Sequence, residues 1–129
     1  MKVDKNKILI LHRYFIWANE MRTDFDGTLG QKKQQRIKQF MYMSLWYGML
    51  YVVIGGWYDL GLNDSKVDEL LKSKNVNLLK RYRNGVFHFQ KRKYYDRRFM
   101  DLIQNGEEVV VWVQNLNKEI GRFFLEQLK

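Results

Sequence analysis

Residues 109–124 read VVVWVQNLNKEIGRFF, and whether they form a strand or a helix decides the fold. The opening VVVW is β-branched and aromatic, which favours a strand. The spacing of the apolar residues favours a helix. Val109, Val113, Leu116, Ile120, Phe123 and Phe124 recur at intervals of three and four, with Leu128 at the edge of the same stripe. That period persists for about four turns, which makes the segment an amphipathic helix.

The same period runs back along the chain. Ile10, Tyr14, Trp17, Met21 and Phe25, beside Leu11, Phe15 and Ala18, predict a helix over 7–25, and Gly27 and Gly30 punctuate a loop after it. A second helix is expected from about Gln31 to Ile54, its apolar face starting at Ile37, Phe40 and Met41. Gly55-Gly56 weakens it, and DLGLND at 59–64 reads as loop. Asn63 or Asp64 caps a short helix with Val67, Leu70 and Leu71 inward. A further helix starts near Asn75, carries Val76, Leu79, Tyr82 and Val86, and continues into KRYRNGVFHFQKRK at 80–93. Residues 91–106 are polar, aromatic and irregular, with one helical turn around Phe99, Leu102 and Ile103. There is no internal repeat and no linker. The expectation is a single all-α domain over residues 1–129, a compact bundle of four or five helices.

The chain of 129 residues contains no cysteine and no proline. The lack of cysteine excludes a disulfide framework, a thiolate metal site and a cysteine nucleophile. With only two histidines, His12 and His88, a metal centre would rest mostly on carboxylates, so no metal and no cofactor are expected. His12, beside Arg13, has no evident partner and reads as a surface histidine. No secretory signal core is apparent, and a cytoplasmic location is expected. Residues 40–58 run without a charge for the length of a membrane span, but they hold four tyrosines, a serine and three glycines. A buried central helix is the favoured reading and membrane insertion the disfavoured one.

Residues 24–29, DFDGTL, match the DxDGT signature of the haloacid-dehalogenase-like phosphohydrolases. That chemistry needs the first Asp at the end of a buried parallel strand. Here the motif follows an amphipathic helix, so Asp24, Asp26 and Gly27 are read instead as a helix-terminating turn.

The formal charge is +9, and its placement is uneven. Between residues 80 and 98, Lys80, Arg81, Arg83, Lys91, Arg92, Lys93, Arg97 and Arg98 face only Asp96, a local charge of +7. A smaller cluster is Lys32, Lys33, Arg36 and Lys38. Such concentration attracts nucleic acid, anionic lipid or an acidic partner, although a charged run also serves as a plain solvated face. His88 lies inside the larger cluster. At about 100° per residue, with Arg83 at zero, Asn84 falls near 100°, His88 near 140° and Arg81 near 160°. Arg81, Asn84 and His88 thus share a polar face, and Arg83 reaches round to it. Gly85 removes a side chain beside them, for close packing or by simple tolerance. Imidazole titrates near neutrality and serves as general acid or base, and guanidinium holds a phosphate through paired donors. Asn84 can orient a ring nitrogen or a substrate oxygen. This set suits attack by an RNA 2′-hydroxyl on its neighbouring phosphate. Equally, His88 can be a half-buried histidine satisfied by Asn84 or a backbone group.

Arg83-Asn84-Gly85-Val86-Phe87-His88 resembles the RxxxxH motif of HEPN domains, in which an Arg, usually followed by a polar residue, precedes a His by four to six intervening positions. The resemblance implies a small α-helical bundle, and many such domains are homodimeric, metal-independent endoribonucleases of toxin–antitoxin, phage-defence and RNA-processing systems. It implies that Arg83 and His88 are catalytic with Asn84 as polar companion. Arg81, six intervening residues from His88, satisfies the same pattern. RNA is then the expected partner, along with a second copy of the chain and a possible antitoxin. Lys80, Lys91, Arg92, Lys93, Tyr94, Tyr95, Arg97 and Arg98 are the expected RNA-binding residues, the cations on phosphate and the tyrosines on bases. The alternative is a helical module that binds RNA, a nucleotide or a protein without catalysis.

Overall fold

A computed structural model describes residues 3–30, 36–91 and 96–129. The described residues form six helices and no strand: α1 (Lys5–Thr28), α2 (Arg36–Asp59), α3 (Ser65–Leu70), α4 (Asn75–Phe87), α5 (Arg97–Asn105) and α6 (Val109–Gln127). The all-α bundle expected from the apolar period is what the chain adopts. VVVW is the first turn of α6, and Val113, Leu116, Ile120 and Phe124 are at most 1% exposed.

The first two helices run further than expected. α1 runs through Asp24, Asp26 and Gly27 to Thr28, so DFDGT is helical rather than a turn. Arg22 holds Asp26 one turn on, with Nη1 to Oδ2 at 2.7 Å, and the Asp26 carbonyl accepts the Leu29 N–H that closes the helix. α2 passes straight through Gly55-Gly56 to Asp59. Gly56 marks a close crossing: a Cβ there would stand 2.3 Å from Cδ1 of Leu11 on α1. Tertiary packing here outweighs the low helix propensity of glycine, which costs about 1 kcal/mol per residue.

α2 is the central element, packed between α1 and α4, with α5 on α4, α3 on α6 and α6 also against α1. Trp46, Leu50, Val53, Ile54 and Trp57 of α2 are all buried. Each such side chain contributes about 1.5–3 kcal/mol over leaving it exposed. No helix among the described residues is long and apolar enough to cross a membrane.

Polar anchors fix the short elements. Asp64 caps α3, accepting from the Lys66 and Val67 N–H groups, and also receives Arg122 of α6 at 2.7 Å. Burial raises the Asp64 carboxyl, but those amides and the guanidinium outweigh it and hold the group below the usual carboxylate range. Asn75 opens α4 fully buried. Its amide donates to the Glu107 carbonyl at 2.7 Å and accepts the Glu107 N–H at 2.9 Å, clamping α4 to the α5–α6 link.

α5 spans nine residues where a single turn was expected. Asp96 caps it by accepting the Arg98 N–H at 2.8 Å. Phe99 packs edge-on against Tyr82 of α4, with ring centroids 5.2 Å apart. Gly85 permits the approach, since a Cβ there would lie 3.1 Å from Phe99 Cζ and 3.3 Å from Arg98 Cβ. Close packing, not simple tolerance, is the role of Gly85. Tyr82 joins three helices, because its hydroxyl also meets Ser44 of α2 at 2.8 Å and its ring meets Tyr47 of α2 at 5.7 Å. Burial pushes both phenols up to about 12, and at Tyr47 the neighbouring Tyr82 adds to the effect.

Candidate functional site

α4 does not carry the whole 80–93 stretch. It ends at Phe87, and His88 is its C-cap, with φ −121° and ψ 125°. The His88 N–H still donates to the Asn84 carbonyl at 3.0 Å, but the backbone beyond is extended. The helical wheel that grouped His88 with Arg81 and Asn84 therefore stops applying at His88 itself. The imidazole is exposed and makes no hydrogen bond among the described residues. A half-buried histidine satisfied by Asn84 is not what forms: Asn84 acts on His88 through its main-chain carbonyl.

The two arginines turn opposite ways. Arg83 lies over α2, its guanidinium carbon 5.4 Å from the centre of the Tyr51 ring. Its Nε is buried without a hydrogen-bond partner among the described residues. A cation–π contact of this kind contributes about 0.5–2 kcal/mol, and it holds Arg83 on the core side of α4. Arg81 turns to α5 and pairs through Nη1 with Oδ2 of Asp101. The Asp101 side chain is only 7% exposed, and it is also met by Arg97 Nη2 at 3.6 Å and by Asn105 Nδ2 at 3.3 Å. Arg81 is thus a tie between α4 and α5 as well as a surface cation.

Gln90 makes the second tie. Its Nε2 donates to the carbonyls of His88 at 2.6 Å and Asn84 at 3.5 Å, while its Oε1 accepts from Arg98 Nη1. Between these ties lies an open groove of about 530 Å³, walled by Arg81, Lys91, Arg97 and Arg98 together with Phe89, Gln90 and Asp96. Arg97, Arg98 and Lys91 are exposed, as is Lys80 on the outer side of α4. The structure therefore brings Arg81, Lys91, Arg97 and Arg98 together and leaves Arg83 apart. Arg92, Lys93, Tyr94 and Tyr95 lie outside the described residues, as do Lys32 and Lys33.

Asp101 and Phe89 belong to this edge and escape the sequence reading. Asp101 had a signal, since Arg97 and Asn105 stand four residues on either side of it. Phe89 had none beyond being an aromatic among cations. His12, expected on the surface, is partly buried with its ring 5.0 Å from that of Phe124, and burial lowers its pKa.

No family model matches the chain, and neither a characterised protein nor a solved structure does.

Proposed function

We propose that the α4–α5 edge binds RNA and that His88 cleaves it, as the HEPN resemblance implies, in a site completed by a second copy of the chain. The observation that carries this reading is the exposed imidazole of His88, one residue from the wall of a groove formed by four cations. In the reaction, one imidazole takes the proton of a 2′-hydroxyl. The oxygen attacks the adjacent phosphorus, the P–O5′ bond breaks, and an imidazolium returns a proton to the leaving O5′. The products are a 2′,3′-cyclic phosphate and a 5′-hydroxyl. One histidine does not hold both roles at once, and two copies related by a twofold axis supply a base and an acid. The resemblance adds a setting, a toxin or phage-defence component held in check by a protein partner.

A second reading, RNA binding without cleavage, draws support from Arg83. Its guanidinium is engaged by the Tyr51 ring of α2, a packing role that asks nothing of catalysis. Cleavage assays on a mixture of RNAs separate the two. Catalysis predicts that His88→Ala lowers the rate by about 10²–10⁴-fold while RNA binding is kept. RNA that stays intact with the wild-type chain, or cleavage that survives His88→Ala, leaves the binding reading alone.

A further inference from the structure

Phe89 is 91% exposed, more than any other large apolar side chain among the described residues. Leaving a phenyl ring in water forgoes about 1.5–3 kcal/mol of burial. A single exposed apolar residue is ordinary on a protein surface. Phe89 is distinguished by how firmly its backbone is held. On one side, Phe87 lays its ring against α2 at Gly48, and the His88 N–H is bonded to Asn84. On the other, the Gln90 side chain is bonded to the His88 carbonyl and to Arg98 of α5. The ring is thus presented from a tied segment, which lowers the ordering cost of any contact it makes.

The ring also stands in the wall of the groove that holds Arg81, Lys91, Arg97 and Arg98. Phenyl offers no hydrogen bond, so its contribution is stacking or apolar contact. A cationic groove with an aromatic face is what unpaired nucleotides require, phosphates on the cations and a base on the ring. A duplex keeps its bases stacked inside and offers no free face to such a ring. The charge agrees with a short contact. Asp96 and Asp101 offset two of the four cations, so among the described residues the groove keeps about +2, enough for a few phosphates rather than a long duplex track.

We infer that Phe89 is a base-stacking platform, and that the groove takes single-stranded RNA in preference to duplex. This rests on the proposed binding of RNA at the α4–α5 edge. The test is fluorescence anisotropy with three labelled probes: a 2′-O-methyl oligouridine of about ten nucleotides, a duplex of equal length, and an abasic strand with the same number of phosphates. The 2′-O-methyl group prevents cleavage. The wild-type chain is expected to bind the oligouridine more tightly than the duplex. Phe89→Ala should weaken oligouridine binding by about five- to a hundredfold, leave the abasic strand unchanged, and be rescued by Phe89→Trp. The exposed ring can be removed without touching the core, which an unchanged melting temperature checks.

Unchanged oligouridine binding in Phe89→Ala, an equal loss on the abasic strand, or preference for duplex would each overturn the inference. Loss in Lys91→Glu/Arg97→Glu without loss in Phe89→Ala would remove the stacking role and keep RNA at the edge. No binding of any probe would remove both. Binding to phosphatidylserine vesicles that depends on Phe89, with RNA binding indifferent to it, would reassign the ring to a membrane surface.

Discussion

Helix α4 begins at Asn75, which is wholly buried and engages both the N–H and the carbonyl of Glu107. It ends at His88, whose ring is exposed and makes no hydrogen bond among the described residues, followed by Phe89, itself 91% exposed. Every polar atom of the Asn75 clamp is used inside the molecule. At the other end, the side chains that tie the structure, Gln90, Arg81 and Asp101, leave the chemically useful groups outward. The same helix is a structural strut at one end and an exposed edge at the other. Variants at the two ends should therefore separate stability from binding.

The largest effect is expected at the strut. Asn75→Ala strands two Glu107 backbone groups and should lower stability by about 2–4 kcal/mol, read as a lower urea midpoint. The surviving folded fraction should bind RNA with unchanged affinity. Next comes Lys91→Glu/Arg97→Glu, where both side chains are exposed. RNA affinity should fall by about a hundredfold at low salt, and the slope of log affinity against log salt should become shallower by about two. Stability should fall by no more than about 1 kcal/mol, since Arg97 is exposed and meets Asp101 only at 3.6 Å, while Arg81 keeps the closer pair with that buried carboxylate.

How much of this contrast the sequence discloses follows from what each residue signals locally. The helices are legible because apolar spacing reports burial directly, as in Val109 to Phe124. α5 is nearly hidden because its buried face includes Asp101, a carboxylate made tolerable by Arg81 twenty positions earlier. The end of α4 is hidden too, because Phe-His-Phe-Gln contains neither glycine nor proline. The basic edge is legible from charge alone. The directions of Arg81 and Arg83 are not: two positions apart on a helix they point about 160° apart. Which one reaches the site is decided by partners distant in sequence, Tyr51 for Arg83 and Asp101 for Arg81.

Two smaller effects sharpen the comparison from the shared core beneath. The Tyr47 and Tyr82 phenols titrate at about 12 in the fold and near 10 in the unfolded chain. Between those values the unfolded chain has released protons that the folded chain retains. The two tyrosines should therefore add no pH dependence below about pH 10, and stability should fall as pH rises towards 12, by about 2 kcal/mol per tyrosine at most. Urea unfolding at a series of pH values checks it, and Tyr82→Phe should remove part of the slope. Smallest is Arg81→Ala, which leaves Asp101 buried with only Arg97 and Asn105. It should lower stability by about 1–2 kcal/mol and weaken RNA binding less than Lys91→Glu/Arg97→Glu does. An Arg81 variant of full stability that fails to cleave RNA would instead make Arg81, not Arg83, the partner of His88.

The most direct measurement is an NMR titration of the isotope-labelled chain with the uncleavable oligouridine, following backbone amides along α4 and α5. The shifts should concentrate at His88, Phe89, Lys91, Arg97 and Arg98, while Asn75 and Val76 stay still. Shifts centred on the Asn75 end or on α1, or no shifts at all, would contradict the assignment of RNA to the α4–α5 edge.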